Sequence, residues 1–147
     1  MTSLREIMTV DLYTLPPDVP VARAGELMRE HRIRHIPIVG KGRELLGLVT
    51  QRDILAAASS SEELERVSDL MRTRLYTVDA ETDMRRAALL MQKHKIGCLP
   101  VLEGGKLVGI VTDTDYVALA INLLEQFELQ ELDPAEDFDD AEDLEAF

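Results

Sequence analysis

The chain has 147 residues and a mass of 16.5 kDa, enough for one domain or two small units that share a core. A composition of 46% hydrophobic and 30% charged residues, with 8 Gly, 6 Pro and no Trp, excludes collagen-like, mucin-like and wholly disordered classes. Lys and Arg number 16 against 28 Asp and Glu, a net charge of −12, and an evenly acidic chain repels nucleic acid and anionic membrane, which are bound chiefly through Lys and Arg.

The N-terminal stretch Met1-Thr2-Ser3-Leu4-Arg5-Glu6-Ile7-Met8 has no apolar core bounded by a small-residue cleavage site, and no run of about 18 apolar residues follows anywhere. Cys98 is the single cysteine, so no intramolecular disulfide calls for an oxidising compartment. A cytoplasmic protein without a membrane span is expected. Next in chain order come a helical turn around Ile7-Met8 and an extended Tyr13-Thr14-Leu15. A helix follows, with Pro20 in its first turn and Val21, Ala24, Leu27, Met28 and His31 on one face. Residues 36–39 and 45–49 read as short apolar strands across a glycine-bearing turn, and Pro37 marks the first of them as an edge strand or a strand start. A second helix begins near Asp53.

The same order then recurs. A shift of 63 places Met8 on Met71, Leu12-Tyr13-Thr14 on Leu75-Tyr76-Thr77, Leu27-Met28 on Leu90-Met91, His31 on His94 and Pro37 on Pro100. One residue drops out between Gly40-Lys41-Gly42-Arg43-Glu44 and Glu103-Gly104-Gly105-Lys106, both hairpin turns, where a length change is cheap. Beyond it the shift is 62, and Gly47-Leu48-Val49-Thr50-Gln51-Arg52-Asp53 falls on Gly109-Ile110-Val111-Thr112-Asp113-Thr114-Asp115. In the second copy Thr82 is the expected helix N-cap, and Met84, Ala87, Ala88, Met91 and His94 share a face. The last helix keeps apolar spacing through Val117, Ala120, Leu123, Leu124 and Phe127 to about Leu129. The acid is concentrated beyond: 11 acidic residues and no basic one lie in residues 125–147, which leaves residues 1–124 with 17 acidic and 16 basic groups. The acidic tail proper, residues 132–147, is expected to stay mobile and solvating, or to use Phe138, Leu144 and Phe147 as anchors on a basic partner.

Each copy is thus an α/β (α+β) unit of order β-α-β-β-α, too small a sheet to stand alone, and two copies packed pseudo-symmetrically solve that problem. The two Gly-apolar-apolar-Thr-x-x-Asp segments, each with an apolar-Pro-apolar strand upstream, resemble tandem cystathionine-beta-synthase (CBS) domains, a pair called a Bateman module. The resemblance divides the chain into residues 4–62, residues 67–124 and a C-terminal extension, 125–147.

Taken alone, Thr50 with Asp53 and Thr112 with Asp115 read as helix starts, a capping box with Asp in place of Glu. The same groups suit a nucleotide, because a carboxylate in the first helical turn accepts ribose hydroxyls while the free N–H groups face a phosphate. The resemblance implies this second role: an adenosyl ligand between the copies, AMP, ADP or ATP ahead of S-adenosylmethionine or NAD, with no catalytic cofactor. It further implies adenine contacts from Thr14-Leu15 and Thr77-Val78, and from His35-Ile36-Pro37 and Cys98-Leu99-Pro100, segments that otherwise read as half-buried strands.

The copies differ in their cations. Arg32, Arg34, His35 and Arg52 in the first face Lys95, Gly97, Cys98 and Thr114 in the second, and Arg52 lies inside the motif as a phosphate contact. His31 and His94 share a register on the core side, which predicts partly buried, hydrogen-bonded imidazoles rather than metal ligands. Cys98 has no recognisable activating base and reads as a pocket-lining residue. Neither an acid/base pair nor a phosphate-cradling glycine loop appears, so an enzyme is not expected. The resemblance implies a regulatory ligand sensor that forms a disc-like homodimer through its helices. The alternative is an interaction adaptor with vestigial clefts, acting through its last helix and acidic tail on a basic target.

Overall fold

The computed structural model describes residues 2–59 and 64–131, so the acidic tail lies outside the described residues. The chain falls into two units, Met1–Tyr116 and Val117–Phe147. The first holds both copies of the repeat. After a 3-10 turn at Leu4–Glu6, the first copy runs α1 (Val21–His31), β1 (His35–Val39), β2 (Leu45–Thr50) and α2 (Gln51–Ala58). The second runs α3 (Val67–Leu70), β3 (Val78–Asp79), α4 (Met84–His94), β4 (Cys98–Glu103), β5 (Lys106–Thr112) and the start of α5 (Asp113–Glu131).

Strands β1 and β2 pair antiparallel, and Leu15 adds a parallel bridge to Ile38 on the far side of β1. In the second copy the order is β3-β4-β5, with β3 parallel to β4 and β4 antiparallel to β5. Pro37 and Pro100 therefore lie inside strands with neighbours on both sides, not at the edge or strand start expected from sequence. The strand tolerates Pro37 because its missing N–H faces the segment before Leu15, where pairing has not begun; its carbonyl accepts from the Leu15 N–H at 3.2 Å. Gly104 (φ 58) and Gly105 (φ 79) form the two-residue turn between β4 and β5, a pair of left-handed positions that glycine fills without strain.

Helices α1 and α4 bury Ala24, Leu27 and Met28, and Met84, Ala87 and Met91, as the spacing predicts. Both end on a left-handed basic residue, Arg32 or Lys95, after which the Ile33 and Ile96 N–H groups each reach back 3.1 Å to the Met28 and Met91 carbonyls. His31 and His94 meet the expectation only in part, since among the described residues neither imidazole makes a hydrogen bond. Each is the last residue of its helix, beyond the core strands, and stacks on a tyrosine: Tyr13 on His31 at 3.8 Å and Tyr76 on His94 at 3.9 Å. His31 is exposed and His94 half-buried. The N-cap of α4 is Asp83 rather than Thr82, whose carbonyl instead accepts from the Leu4 N–H at 2.9 Å.

That bond belongs to an exchange between the copies. Leu4, fully buried, and the turn around it pack on the second copy, with Thr2 carbonyl to Met84 N–H at 2.9 Å and Arg5 paired to Glu81 and Glu103. At the shift of 63, Val67 donates to the Val19 carbonyl at 2.9 Å and the Glu65 carbonyl accepts from Val21 at 3.0 Å, so α3 packs on the first copy. Val67, Leu70 and Met71 accordingly join the core of Leu15, Ala24, Leu27, Met28, Ile36, Ile38 and Val49. Thr9 then pairs with Ile110 and Arg72 with Leu48, the N–H to carbonyl distances lying between 2.8 and 3.0 Å. Leu48, Cys98 and Ile110, with Leu12 and Leu75 against them, form the seam between the copies.

In the second unit, α5 buries none of its residues, and Val117, Ile121, Leu123, Leu124, Phe127 and Leu129 are all exposed. Among the described residues no helix is long and apolar enough to cross a membrane.

The exchange explains the glycine that opens each motif. A Cβ on Gly47 would lie 2.6 Å from Met71 Sδ and 3.0 Å from the Arg72 carbonyl, and one on Gly109 3.0 Å from Met8 Sδ and 3.1 Å from the Thr9 carbonyl. Gly47→Ala is predicted to destabilise the protein by about 1–3 kcal/mol, through overpacking against the incoming strap. Gly40→Ala, whose nearest neighbour is a Leu46 methyl at 3.4 Å, should have a smaller effect. Urea midpoints of the two variants check this, and equal midpoints contradict it.

Candidate functional site

Each motif threonine ends a strand and starts a helix. Asp53 N–H donates to Thr50 Oγ1 at 3.1 Å while Thr50 N–H donates to Asp53 Oδ2 at 3.2 Å, a complete capping box. In the second copy Asp115 N–H donates to Thr112 Oγ1 at 3.4 Å and Thr112 N–H to Asp115 Oδ2 at 2.8 Å. Capping thus engages one carboxylate oxygen, Oδ2, and leaves Oδ1 outside the box.

The outer oxygen is treated differently in the two copies. Arg72 Nη2 donates to Asp53 Oδ1 at 3.0 Å and Arg72 Nε lies 3.2 Å from both carboxylate oxygens. The repeat places Thr9 where Arg72 stands, so Asp115 has no guanidinium facing it, and among the described residues its Oδ1 has no hydrogen-bond partner. Burial pushes the Asp53 carboxyl up, but the Arg72 hydrogen bonds and charge, with the two Thr50 contacts, outweigh burial and hold it below its ordinary value.

Two clefts open beside the seam, one against each motif. The first, about 630 Å³, takes in Thr50, Arg52, His35, Cys98 and Pro100 of the expected residues, together with Arg34, Gln51, Arg72, Arg74, Tyr76, Lys95 and Asp113. The second, about 280 Å³, takes in His35, Pro37, Thr112 and Asp115, together with Thr9, Asp11, Tyr13, Arg32, Arg34 and Thr114. Strand alternation sorts the rest. His35 and Pro37, like Cys98 and Pro100, line the clefts, the two prolines while fully buried, whereas Ile36 and Leu99 between them are fully buried and border neither cleft. Leu15 and Val78 are core residues as well, and Thr14 and Thr77 border neither cleft. The backbone of Leu15 is spent on β1, its N–H on Pro37 and its carbonyl on Val39. Asp53 is not part of the first wall, which holds its ion-pair partner Arg72 instead.

Arg34 joins the copies by an ion pair to Asp113 at 3.1 Å. Burial, reinforced by Arg34, lowers the pKa of His35 against the opposing pull of Asp113 and Asp53, so the imidazole is neutral at pH 7. Burial pushes the Cys98 thiol up to about 12, with Asp113 adding to it and Arg72 opposing, which leaves no thiolate to act as a nucleophile. Among the described residues no group of three or more His, Cys, Asp and Glu side chains has the geometry to hold a metal ion.

Arg72 and Arg74 escaped the sequence reading. The repeat was the signal that could have found them, since its register aligns them with Thr9 and Asp11, a change of charge at equivalent positions.

The CBS domain model matches residues 4–60 and 67–121. A Vibrio cholerae protein described as an acetoin utilization protein (AcuB) has a crystal structure that is 44% identical, with a TM-score of 0.82, covering 90% of this chain and 98% of that one. The CBS domain pair of protein MJ0100 in complex with 5'-methylthioadenosine and S-adenosyl-L-methionine is 25% identical, with a TM-score of 0.77, covering 83% of this chain and 98% of that one. CBSX2 in complex with AMP is 26% identical, with a TM-score of 0.76, covering 83% of this chain and 98% of that one.

The Asp53 carboxyl, held below an ordinary value near 3.8, contributes stability that is fully present above that value and is lost as pH falls through the folded one. Wild type is therefore predicted to lose more stability than Asp53→Asn between about pH 7 and about pH 3. Urea titrations at the two pH values measure the difference, and equal losses contradict the prediction.

Proposed function

The chain belongs to the CBS-domain family as a tandem pair, and from that premise we propose that it is a regulatory module that senses an adenine nucleotide in the clefts between its repeats. The observation that carries this reading is the paired geometry: two clefts, each lined by a motif threonine whose capped aspartate keeps Oδ1 outside the capping box, without a partner among the described residues in Asp115 and paired to Arg72 in Asp53. A ribose is held by that oxygen, phosphates by the free N–H groups of the helix start and the cleft cations, and the adenine by the apolar wall. The adenosyl ligands of the MJ0100 pair and the AMP of CBSX2 support the ligand class, with AMP, ADP or ATP placed ahead of S-adenosylmethionine or NAD.

The role is regulatory and not catalytic. Ligand binds one arrangement of the repeats better than another and shifts the population toward it, which a cytoplasmic partner protein detects. The functional units in this reading are residues 4–62 and 67–124, with 125–147 as an extension that meets a basic target. The module pairs with a second copy of itself through its helices, and the exposed apolar residues of α5 support that step. The same residues also fit an adaptor that recruits its partner through α5 and the tail with empty clefts, and ligand binding separates the two readings.

A thermal-shift panel with AMP, ADP, ATP, S-adenosylmethionine and NAD tests the proposal. A binding ligand at a hundred times its dissociation constant is expected to stabilise the fold by about 2.7 kcal/mol. Asp53→Ala and Asp115→Ala should each remove one site and lower the calorimetric stoichiometry accordingly. The absence of a shift with all five ligands refutes the sensing role and leaves the adaptor. Sedimentation at two concentrations tests the pairing, and a strict monomer at both refutes it.

A further inference from the structure

The two clefts are related by the repeat, but their charges are not. Arg34, Arg52, Arg72, Arg74 and Lys95 line the first against Asp113 alone, whereas Arg32 and Arg34 line the second against Asp11 and Asp115. Four cations of the first cleft meet uncharged or acidic residues at the equivalent positions: Gly97 for Arg34, Thr114 for Arg52, Thr9 for Arg72 and Asp11 for Arg74. Among the described residues, Arg52, Arg74 and Lys95 make no ion pair, while Arg34 is held by Asp113 and Arg72 by Asp53.

This arrangement sets the terms for any ligand. Like charges crowded around one cleft repel each other and are relieved by an anion. The Asp53 oxygen that a ribose needs is occupied by Arg72, so a neutral nucleoside gains it only by breaking a bidentate pair and leaving a guanidinium without its partner. A phosphate chain removes that obstacle, because it gives Arg72 a second fork-shaped acceptor as Asp53 is released. In the second cleft the lining charges cancel and the Asp115 oxygen is open, so added negative charge brings little gain there.

We propose that the clefts sort adenine ligands by charge: the Arg72 cleft takes a nucleoside polyphosphate, whose phosphates replace Asp53 on Arg72 and free the carboxylate for the ribose, and the Asp115 cleft takes an uncharged nucleoside. Arg72 is the residue that sets this specificity. The inference rests on the adenine-sensing reading and deepens it.

Calorimetry on the full chain tests it with ATP, adenosine and inorganic tripolyphosphate as probes. In an Asp115→Ala background, which isolates the first cleft, ATP is expected to bind more tightly than adenosine and to weaken with added salt. Arg72→Gln should lower the ATP affinity of that cleft about tenfold or more, the loss of a bidentate charged contact, and Arg72→Lys should recover part of it. In an Asp53→Ala background adenosine is expected to bind at least as well as ATP, and Thr9→Arg should shift the preference toward ATP. Equal ATP-to-adenosine ratios at the two clefts, or a ratio at the first cleft that Arg72→Gln leaves unchanged, overturn the proposal while the adenine reading survives. Arg72-dependent binding of tripolyphosphate, with no binding of ATP or adenosine, keeps the charge sorting and overturns the adenine reading.

Discussion

The crossing of two backbone straps organises this molecule. Residues 2–9 leave the first repeat to pair with the second, and residues 65–72 enter from the second to pair with the first, each closing on a two-way bond with the opposite motif strand, Thr9 with Ile110 and Arg72 with Leu48. A two-stranded sheet and one helix layer bury too little alone, and the straps supply what is missing, Leu4 on one side and Val67 on the other, both fully buried. The small residue at the head of each motif follows directly. Gly47 and Gly109 lie beneath the straps, where a methyl group meets the Arg72 or Thr9 carbonyl.

The same straps build the clefts. Because residue 72 is bonded to Leu48, its side chain lies next to the helix that Thr50 caps, and because residue 9 is bonded to Ile110, its side chain lies next to the helix that Thr112 caps. Whatever occupies positions 9 and 72 therefore faces an aspartate already committed through one oxygen to its own helix start. The proposed ribose contact does not compete with capping for atoms, since the box uses Oδ2 and leaves Oδ1 outside it. The two roles do share a residue, so removing either aspartate weakens a helix start as well as the proposed ribose contact.

What was legible in the sequence was local or periodic. The repeat fixes the order of elements, the spacing of Ala24, Leu27 and Met28 shows a buried helix face, and Thr50 and Asp53 announce a cap because the partners stand three residues apart. Pairings between distant segments carry no such signature. Pro37 reads as an edge residue until Leu15 is found beside it, and His31 reads as a core residue until Tyr13 covers it. The ion pair of Arg72 with Asp53, 19 residues apart, depends on a strap whose destination no periodicity records.

The strap also ties ligand chemistry to the arrangement of the repeats. Arg72 carries two constraints at once: its backbone joins the second repeat's lead-in to a strand of the first, and its side chain holds the first repeat's aspartate. A ligand that draws the guanidinium away from Asp53 removes the side-chain constraint while the backbone pair with Leu48 persists. Leu48 belongs to the seam with Cys98 and Ile110, so a change at this one residue acts on the surface along which the repeats meet. The second cleft has no counterpart of Arg72, because Thr9 is bonded to Ile110 but makes no ion pair with Asp115; its inter-repeat pair is that of Arg34 with Asp113. In the proposed charge sorting the coupling of occupancy to arrangement is asymmetric: a ligand of the Arg72 cleft exchanges the inter-repeat pair of Arg72 with Asp53, and a differential free energy between arrangements would arise there.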